Sequence, residues 1–524
     1  MKKLPVDVHD FNDMITGDHV YVDKTQYIHK MATEGTYYFL SRPRRFGKTL
    51  LVSTLEHLFA GHKELFEDLW IENADWDWQP HPVLKIDFSE ISAYSPEVLR
   101  KSLIEKLHRL GESMGGEVKS ELLRNCFSDL IIDVYEKHQR RIAILIDEYD
   151  QPLISHLGKG ENELEIAKQN RDVLREFYGV LKGGNVGKAL RFVFLTGISK
   201  FARVSIFSEL NNLDDLSMQE PYSALLGYTD EELVRYFEPY IRQLSKRLKA
   251  PVEETLQDIR TWYNGYRFSD LEVKVYNPFS VAKLLKQGKF QNYWFDTATP
   301  AFLVNLIKEK KYPIPDIENL QLTETSFSTY DLDRLDLEPL LFQTGYITIR
   351  GFDGVRYKLG YPNQEVKNAF LSYLYKSLVE IPRTTIKEQY TLLHEFLADE
   401  KLEQFIETAN AILAAIPYEH IRDQDEHSYH TVFYLMLSAS GVLVQTEPLT
   451  SIGRIDMEVH FPDKIYIVEL KCNQSAEQAI AQIKEKKYFE KHLHGGRKIL
   501  LLGINFSNKE RRITEWRVEE VVES

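Results

Sequence analysis

Cysteine is scarce in this sequence of 524 residues, and long apolar runs are absent. The two cysteines, Cys126 and Cys472, are too few for a disulfide scaffold or for a structural zinc site of paired thiolates. No apolar run approaches the roughly 20 residues that a membrane-spanning helix needs. Lys2 and Lys3 are followed by Pro5 rather than by the apolar segment of a secretory signal. We therefore expect a cytoplasmic protein.

Positive charge is also in deficit, since the formal net charge is −14. Such a chain has no overall field that attracts nucleic acid, so any contact with DNA or RNA requires a local basic patch. Hydrophobic residues make up 43% and charged residues 27% of the sequence, which is ordinary for a globular protein. The length exceeds what one hydrophobic core usually serves and predicts two or more domains.

A nucleotide-binding signature follows the short apolar segment Tyr37–Leu40, which is typical of a buried strand. The next residues end in Gly47-Lys48-Thr49 and lead into an amphipathic helix pattern. In a P-loop, backbone N–H groups and the helix N-terminus bind phosphate oxygens in this context. Lys48 would contact the terminal phosphates of ATP, and Thr49 would bind Mg²⁺.

The loop departs from the pattern G-x-x-x-x-G-K-[ST] at its first glycine, where Arg42 stands. The alternative interpretation is a basic turn before a helix. The candidate nucleotide-binding residues of the loop are Arg42, Arg45, Phe46, Gly47, Lys48 and Thr49.

Two further apolar segments end in polar residues that suit the same site. Arg141–Ile146 is typical of a buried strand and ends in Asp147 and Glu148, the form of a Walker B motif. Asp147 would hold Mg²⁺, and Glu148 would polarise the attacking water. Arg191–Leu195 predicts another strand, after which Thr196 would sense the γ-phosphate. The alternative interpretation of Asp147 and Glu148 is a solvated acidic turn. Because all three predicted strands end in residues that suit a nucleotide site, we predict ATP binding.

The middle of the chain predicts a helical lid and a winged-helix-like unit. Thr229 precedes a helical pattern as a cap would. Leu340–Ile349 and Val355–Leu359 flank Gly351–Gly354 and predict a β-hairpin. The aromatic segment Trp262–Phe268 is more typical of a packed turn than of a surface that stacks on bases.

A second hairpin is predicted near the C-terminus, with strands at Gly453–Phe461 and Ile465–Lys471. A two-residue turn places Asp456 directly opposite Glu469, with Cβ atoms about 5 Å apart. A shift by one residue would pair Asp456 with Lys471 instead. A three-residue loop would place it opposite an apolar residue of the second strand.

The two carboxylates and Lys471 form a candidate metal site. Carboxylates at this distance repel each other unless a cation neutralises them, and Mg²⁺ or Mn²⁺ prefers such oxygen ligands. In phosphodiester hydrolysis Asp456 and Glu469 would bind the metal, while Lys471 would orient water or stabilise the developing charge. The alternative is a salt-bridged hairpin at an exposed sheet face.

Neighbouring segments add further candidates. Ser475–Gln478 is a capping box that predicts a helix. On the helical segment before the hairpin, either Glu426 or His430 would contribute a further group, and the choice stays open. Between Lys471 and Arg512, ten Lys or Arg stand against four Asp or Glu, a local positive excess that would suit nucleic-acid phosphates.

These motifs together resemble a bacterial family in which an AAA-ATPase-like N-terminal module is joined to a C-terminal PD-(D/E)XK nuclease-like domain. The stretches that carry the resemblance in the N-terminal half are Tyr21–Thr25, Arg42–Thr49, Ile146–Asp150 and Phe207–Leu213. The resemblance spans nearly the whole chain and implies an ATPase core and a metal-dependent nuclease. It implies that Asp456, Glu469 and Lys471 are the nuclease motif. Gln482 and Tyr488 resemble the trailing Gln and Tyr, which follow this motif in that family. The resemblance implies that Gln482 is a catalytic residue.

We therefore predict an α/β protein with an N-terminal P-loop (AAA-like) parallel sheet, a helical lid and winged-helix-like unit, and a C-terminal α/β restriction-endonuclease-like domain. The predicted domains are residues 1–220, 221–375 and 376–524. The leading hypothesis is an ATP-hydrolysing protein that couples nucleotide state to Mg²⁺- or Mn²⁺-dependent cleavage of DNA, with RNA as a second substrate class. One alternative is an ATP-driven switch whose nuclease-like domain binds partners or nucleic acid without cleavage. Another is a scaffold that uses ATP as an assembly signal, so that the size of a homo-oligomer depends on nucleotide.

Overall fold

The structure is a computed structural model, and its residues form two compact units. The first unit comprises Met1–Glu309 and Gln321–Glu365, and the second comprises Lys310–Leu320 and Val366–Ser524. The structure describes residues 1–116, 118, 120–200, 212–294, 301–310, 312, 314–323, 326, 336–378, 383–414, 416, 426–446, 456–493 and 495–521. Residues 207–211 of the stretch Phe207–Leu213 and residues 453–455 of the C-terminal hairpin lie outside the described residues.

The first unit is built on a parallel sheet in the strand order β2-β3-β4-β1-β5. The strands are β1 (Tyr37–Ser41), β2 (Val83–Asp87), β3 (Ile142–Asp147), β4 (Leu190–Gly197) and β5 (Asp214–Asp215). The helices around them are α1 (Phe11–Thr16), α2 (Thr25–Glu34), α3 (Lys48–Ala60), α4 (Pro96–Ser113), α5 (Leu123–His138), α6 (Gln151–Ile154), α7 (Glu161–Gly179) and α8 (Gly184–Ala189).

The three strands predicted for the nucleotide site are confirmed as β1, β3 and β4. Every residue of β3 is buried, which explains why this strand is a continuous apolar run rather than an alternating pattern. Because the strands are parallel, their carboxyl ends lie at one edge of the sheet. The residues that follow β1, β3 and β4 therefore meet at that edge.

Three helices follow this sheet, α9 (Asp230–Leu248), α10 (Val252–Tyr263) and α11 (Pro278–Gln287). The predicted cap of α9 is confirmed, because the Thr229 hydroxyl accepts the N–H of Glu232 and the Glu232 carboxylate accepts the N–H of Thr229. The three helices share one apolar core, which includes Leu233, Phe237, Ile259 and Val281.

The predicted middle hairpin is present, but its first strand is shorter than predicted. This region contains α12 (Ala301–Glu309), β6 (Leu320–Thr323), α13 (Leu337–Thr344), β7 (Thr348–Phe352) and β8 (Arg356–Gly360), and β7 pairs antiparallel with β8. Residues 340–344 are therefore the end of a helix, not the start of a strand. Nearly all residues of α13 are buried, and periodicity cannot distinguish such a run from a buried strand. Gly345, with a φ of 89°, ends the helix.

The second unit contains a mixed sheet in the order β13-β12-β11-β10-β9, in which β11 and β12 are parallel and the other pairings are antiparallel. The remaining elements of the chain are α14 (Gln364–Leu378), α15 (Arg383–Ala398), α16 (Leu402–Ala414), α17 (Glu426–Ala439), β9 (Leu443–Gln445), β10 (Met457–His460), β11 (Lys464–Cys472), α18 (Ala476–Glu485), β12 (Lys498–Ser507) and β13 (Arg512–Glu520). Helix α18 starts at the predicted Ser475 capping box and packs Ile480 and Ile483 against Ile465 and Ile467 of β11.

The predicted register of the C-terminal hairpin is confirmed. The N–H of Phe461 donates to the carbonyl of Lys464 at 2.9 Å, which closes a two-residue turn between β10 and β11. Continued one residue beyond β10, this register brings Asp456 opposite Glu469. The fold is thus mixed α/β, with the predicted N-terminal parallel sheet and a C-terminal mixed sheet. Among the described residues, no helix combines the length and the apolar character needed to cross a membrane.

Candidate functional site

The first candidate site is the loop between β1 and α3, residues 42–47, called the 42–47 loop below. Gly47 has a φ of 93° and directly precedes α3, and a Cβ atom at this position would meet no atom within 4 Å. Glycine there lets the backbone approach a ligand closely. Lys48 begins the helix, and its Nζ donates to the carbonyls of Arg42 and Pro43 at 3.0 and 3.1 Å. Burial lowers the pKa of Lys48.

A cavity of about 480 Å³ adjoins the 42–47 loop. Its volume lies within the usual range of small-molecule sites, about 300–1,000 Å³. Its walls include cationic residues of the loop region, Glu148, and residues of the N-terminal segment and of the start of α11. The lining residues include Asp7, His9, Arg44, Arg45, Lys48, Thr49, Glu148, Tyr228 and Phe279.

Asp147, the last residue of β3, carries a buried oxygen, Oδ2, for which the described part of the chain supplies no hydrogen-bond partner within the usual distance and angle limits. Its Oδ1 accepts the N–H of Glu148 at 2.9 Å, whereas no hydrogen bond to Oδ2 is found among the described residues. Burial raises the pKa of Asp147 to about 6, while Thr49 and Lys48 act to lower it. An unpartnered carboxylate oxygen beside a threonine hydroxyl and an ammonium group is a donor set that Mg²⁺ with phosphates would satisfy.

Arg42 lies elsewhere than predicted. Its guanidinium is 1% exposed, donates to the carbonyls of Ser217 and Tyr222, and stacks on the ring of Phe268 at 4.1 Å. Arg42 does not line the cavity. Burial lowers its pKa to about 9, so the guanidinium stays charged at neutral pH.

Phe46 and Arg45 differ in their placement. Phe46 is buried, packs edge-to-face on Tyr266 and Phe268, and lines a smaller cavity next to the first. Arg45 lines the cavity, and its guanidinium lies 4.8 Å from the ring centre of Phe279. Of the predicted loop residues, Arg45, Gly47, Lys48 and Thr49 border the cavity.

Thr196, the predicted phosphate sensor, is fully buried in β4. Its hydroxyl donates to the carbonyl of Leu40 in β1 at 2.7 Å and is therefore engaged within the sheet. Its role as a sensor stays a prediction.

Sequence reasoning misses Asp150 as a site residue. Its buried carboxylate accepts the N–H of Ile198 at 3.1 Å and both the N–H and the hydroxyl of Ser199, at 2.7 and 2.6 Å. These bonds join the loop after β3 to the loop after β4, next to Glu148. The signal in the sequence is an acidic residue three positions after Asp147, but its burial cannot be read from that spacing.

A smaller cavity of about 70 Å³ adjoins the first and shares Met14, Gly47, Leu50 and Tyr228 with it. Most of its other walls are apolar, and they include Val22, Ile28, Leu51 and Leu225. A polar cavity therefore lies beside an apolar one.

The second candidate site lies on β11 and on the residue before β10. Oδ2 of Asp456 accepts the N–H of Leu470 at 2.7 Å. Oε1 of Glu469 accepts the ammonium group of Lys471 at 3.1 Å and the side-chain amide of Gln482 on α18. Glu469 and Lys471 are 2% and 8% exposed, so this is a buried cluster and not the exposed salt bridge of the alternative interpretation.

Tyr488 belongs to the same cluster. Burial is the main cause that raises its pKa, and the charges of Glu469 and Asp456 raise it further, whereas a hydrogen bond with Gln482 lowers it. The phenol therefore lies close to both carboxylates. The trailing Gln and Tyr implied by the family resemblance thus share one neighbourhood with the acidic pair.

His430 supports the backbone of this site from α17. Its Nε2 lies 2.9 Å from the backbone carbonyl of Asp456. Because a carbonyl oxygen only accepts, Nε2 carries the proton. The side chain of Glu426, the other upstream candidate, lies outside the described residues.

The donor set of the second site suits a hard divalent cation. Asp456 and Glu469 supply two carboxylates, and Mg²⁺ is commonly held by one or two carboxylates together with water. Among the residues that the structure describes, no three His, Cys, Asp or Glu side chains are arranged to hold a metal ion.

The predicted basic patch is largely paired with acids. At least six of its ten cations form ion pairs within the described residues: Lys471, Lys484, Lys487, Lys491, Lys498 and Arg512. Lys491, for example, contacts the buried carboxylate of Glu458 at 2.9 Å. The charge excess counted along the sequence therefore overstates the cations that are free to meet phosphates.

Comparison with known proteins matches two regions of the chain to known families. Residues 5–207 match the family profile described as "Predicted AAA-ATPase", and residues 424–516 match the PD-(D/E)XK nuclease superfamily. A protein of Azotobacter chroococcum mcd 1, described as an uncharacterized protein in the vnfD 5′ region, is 36% identical over 532 residues that cover 99% of each chain. The chain belongs to this family of AAA-ATPase-like proteins with a C-terminal PD-(D/E)XK domain. The first candidate site of this AAA-ATPase-like protein lies in the first matched region, and the second lies in the other.

Proposed function

We propose that this protein binds and hydrolyses ATP with Mg²⁺ at the first site and cleaves phosphodiester bonds of DNA with Mg²⁺ or Mn²⁺ at the second. The nucleotide state licenses the cleavage. One observation carries the proposal: each family-matched region contains a tight polar constellation of the chemistry required. Lys48, Asp147 and Glu148 are gathered at the carboxyl edge of the parallel sheet, and Glu469 and Lys471 are in contact beside Asp456.

At the first site, the residues divide the work of phosphoryl transfer. Lys48 supplies positive charge for the phosphate oxygens, and Thr49 and Oδ2 of Asp147 would hold Mg²⁺. Bound Mg²⁺ would neutralise the charge that develops on the phosphates. Glu148, on the cavity wall, would orient the attacking water and take its proton. The adjoining apolar cavity would take the base.

At the second site, Asp456 and Glu469 would hold the divalent metal. A metal bound there would polarise a phosphoryl oxygen and lower the pKa of a bound water. Lys471 would stabilise the negative charge that develops on the phosphate, and Gln482 orients Glu469 by donating to its Oε1. Lys486 and Lys509, which have no carboxylate partner among the described residues, are candidates for contacts with nucleic-acid phosphates.

The test is a matched incubation of purified wild type, Lys471→Ala and Lys48→Ala with single- and double-stranded DNA and RNA, with Mg²⁺ or Mn²⁺, with and without ATP. The control is Lys101→Ala, which removes an exposed lysine of α4 outside both sites. We expect cleavage of DNA by wild type and by Lys101→Ala, and no cleavage by Lys471→Ala. We expect Lys48→Ala to lose ATP hydrolysis and the dependence of cleavage on ATP.

Two other results would each favour a different function. Nucleic-acid binding that persists without metal and without cleavage would favour an ATP-driven switch whose nuclease-like domain is a binding module. A protein that binds no nucleic acid but changes its oligomeric size with ATP would favour the scaffold.

A further inference from the structure

Arg42 stands where a P-loop usually has its first glycine, and its main chain is part of the nucleotide site. Its N–H donates to the carbonyl of Gly197 at the end of β4, at 3.2 Å. Its carbonyl accepts the ammonium group of Lys48 at 3.0 Å. The position of Lys48 therefore depends on where the peptide group of Arg42 is held.

The side chain of Arg42 leaves the site and is fixed at its far end. The guanidinium donates to the carbonyls of Ser217 and Tyr222, at 2.7 and 3.2 Å, and lies over the ring of Phe268 at 4.1 Å. It has no ion pair among the described residues, and the nearby carboxylate of Asp215 is already paired with Lys200 at 3.0 Å. The guanidinium is thus held by carbonyl dipoles and an aromatic face, which a fork of several N–H donors suits better than an ammonium group does.

The segment that receives Arg42 is itself well anchored. Phe268 is buried, and the preceding residue, Arg267, exchanges hydrogen bonds with Thr348 of β7 through its N–H and its carbonyl, at 2.8 and 3.1 Å. Phe46, at the other end of the 42–47 loop, packs on the same Phe268 ring with centroids 5.5 Å apart.

The middle of the 42–47 loop also contacts residues that lie far beyond it in the sequence. The indole N–H of Trp294 donates to the carbonyl of Arg44 at 3.0 Å. Gly345 approaches Pro43 so closely that a Cβ atom on it would lie 2.7 Å from the proline ring. Phe268, Trp294 and Gly345 therefore contact the loop at its beginning, middle and end.

We propose that Arg42 is a positioning residue for ATP binding, which replaces the conformational role of the missing glycine by tying the 42–47 loop to Ser217, Tyr222 and Phe268. A glycine at this position supplies neither the hydrogen bonds nor the aromatic contact. Restoring the P-loop pattern with Arg42→Gly should therefore weaken ATP binding, although the pattern alone would suggest an improvement. This inference rests on the proposed binding of ATP at the first site.

The test measures the Kd of the full-length protein for a non-hydrolysable ATP analogue with Mg²⁺ by titration calorimetry, together with the thermal unfolding midpoint. The variants are Arg42→Gly, Arg42→Lys, Phe268→Leu and the control Arg356→Gly, which removes an exposed arginine of β8. We expect Arg42→Gly to raise the Kd at least about tenfold, because several hydrogen bonds of a charged group are lost together. Arg42→Lys should recover part of the affinity, and Arg356→Gly should leave the Kd unchanged.

The stacking contact gives a second, independent readout. Phe268→Leu should raise the Kd by a larger factor in the wild-type background than in the Arg42→Gly background, because the contact of Arg42 with Phe268 is already lost in the latter, whereas the contact of Phe46 with Phe268 is changed in both. If Arg42→Gly does not fold, Phe268→Leu and Arg42→Lys decide the matter.

An unchanged Kd in folded Arg42→Gly, or in both Phe268→Leu and Arg42→Lys, would overturn the inference while leaving the proposed function intact. A lowered unfolding midpoint with an unchanged Kd would mean a purely structural residue and would also overturn it. A wild-type protein that binds no ATP would overturn both.

Discussion

The carboxylate of Asp150 accepts two hydrogen bonds from Ser199, one from the N–H at 2.7 Å and one from the hydroxyl at 2.6 Å. Asp150 follows β3 and Ser199 follows β4, so this pair joins the two loops at the carboxyl edge of the parallel sheet. Burial raises the pKa of Asp150, and its hydrogen bonds with Ser199 act in the opposite direction. The carboxylate therefore fixes the backbone on both sides of the first candidate site.

We predict that Asp150→Asn destabilises the protein and lowers ATP hydrolysis. The amide group of asparagine cannot accept all three donors, and a buried donor left without a partner costs about 1–3 kcal/mol. Ser199→Ala removes only the hydroxyl and should cost less. Thermal unfolding and ATPase rates of the two variants, with exposed Asp75→Asn as the control, measure both effects. Unfolding midpoints that match the wild type in Asp150→Asn would contradict the prediction.

The strands around this edge could be predicted from the sequence because each is an apolar run that ends in polar residues. Lys48, Thr49 and Asp147 could be predicted for the same reason, since their places follow from the strand ends. The direction of a long side chain does not follow from spacing. The loop pattern therefore predicts Arg42 as a nucleotide-binding residue, although its guanidinium lies in a buried pocket formed by residues 175 positions or more along the chain.

The C-terminal hairpin shows the opposite case, in which a detail of pairing could be predicted. Alternation at period two fixed the faces of β11, and a two-residue turn fixed its register against β10. The contact of Gln482 with Glu469 joins a helix to a strand, and only the family resemblance pointed to it. The ring nitrogen of His430 on the Asp456 carbonyl is a tertiary contact that no local pattern encodes.

Asp147→Asn is predicted to stabilise the protein without ligand and to abolish its stabilisation by ATP with Mg²⁺. In the folded protein the pKa of Asp147 is raised from 3.8 to about 6, so ionisation at pH 7 opposes folding. The loss in free energy of unfolding develops as the pH rises from 3.8 through about 6. The difference between the unfolded and folded pKa values corresponds to at most about 3 kcal/mol. The variant should therefore have the higher unfolding midpoint at pH 7.5, and its stability advantage should fall to roughly a third near pH 4.5.

Thermal unfolding at both pH values, with and without ATP and Mg²⁺, measures this prediction, and Asp75→Asn again serves as the control. An asparagine variant that is stabilised by ATP and Mg²⁺ as strongly as the wild type would show that Asp147 does not hold the cation.

Helix α18 offers two glutamines that separate catalysis from stability. Gln482 donates to Oε1 of Glu469, whereas Gln478 closes the capping box by accepting the N–H of Ser475. We predict that Gln482→Ala lowers nucleic-acid cleavage at least about tenfold, in the range seen when a partner that orients a metal ligand is removed. Gln478→Ala should instead cost about 1 kcal/mol of stability, as the loss of a cap does, with cleavage unchanged in the folded protein. Cleavage rates and unfolding midpoints of the two variants distinguish these roles, and equal cleavage by both would remove Gln482 from the site.

Gly503 of β12 lies beside Glu469 in the parallel pairing of β11 and β12. A Cβ atom on Gly503 would lie 2.4 Å from the carbonyl oxygen of Ala476 and 3.0 Å from Ile480, so α18 rests directly on this glycine. We predict that Gly503→Ala pushes α18 off the sheet, costs about 1–3 kcal/mol, as overpacking usually does, and moves Gln482 away from Glu469. Both the unfolding midpoint and the rate of nucleic-acid cleavage should fall.

The matched control for this change is Gly351→Ala, because a Cβ atom on Gly351 of β7 would meet no atom within 4 Å. Both substitutions add one methyl group to a glycine in a strand, but only Gly503 has a helix packed against it at the second candidate site. Gly351→Ala should therefore leave cleavage unchanged. Gly503→Ala could instead lower the unfolding midpoint while cleavage per folded molecule stays at the wild-type rate. The contact of α18 with β11 would then serve stability alone. The orientation of Glu469 would not depend on how closely that helix packs.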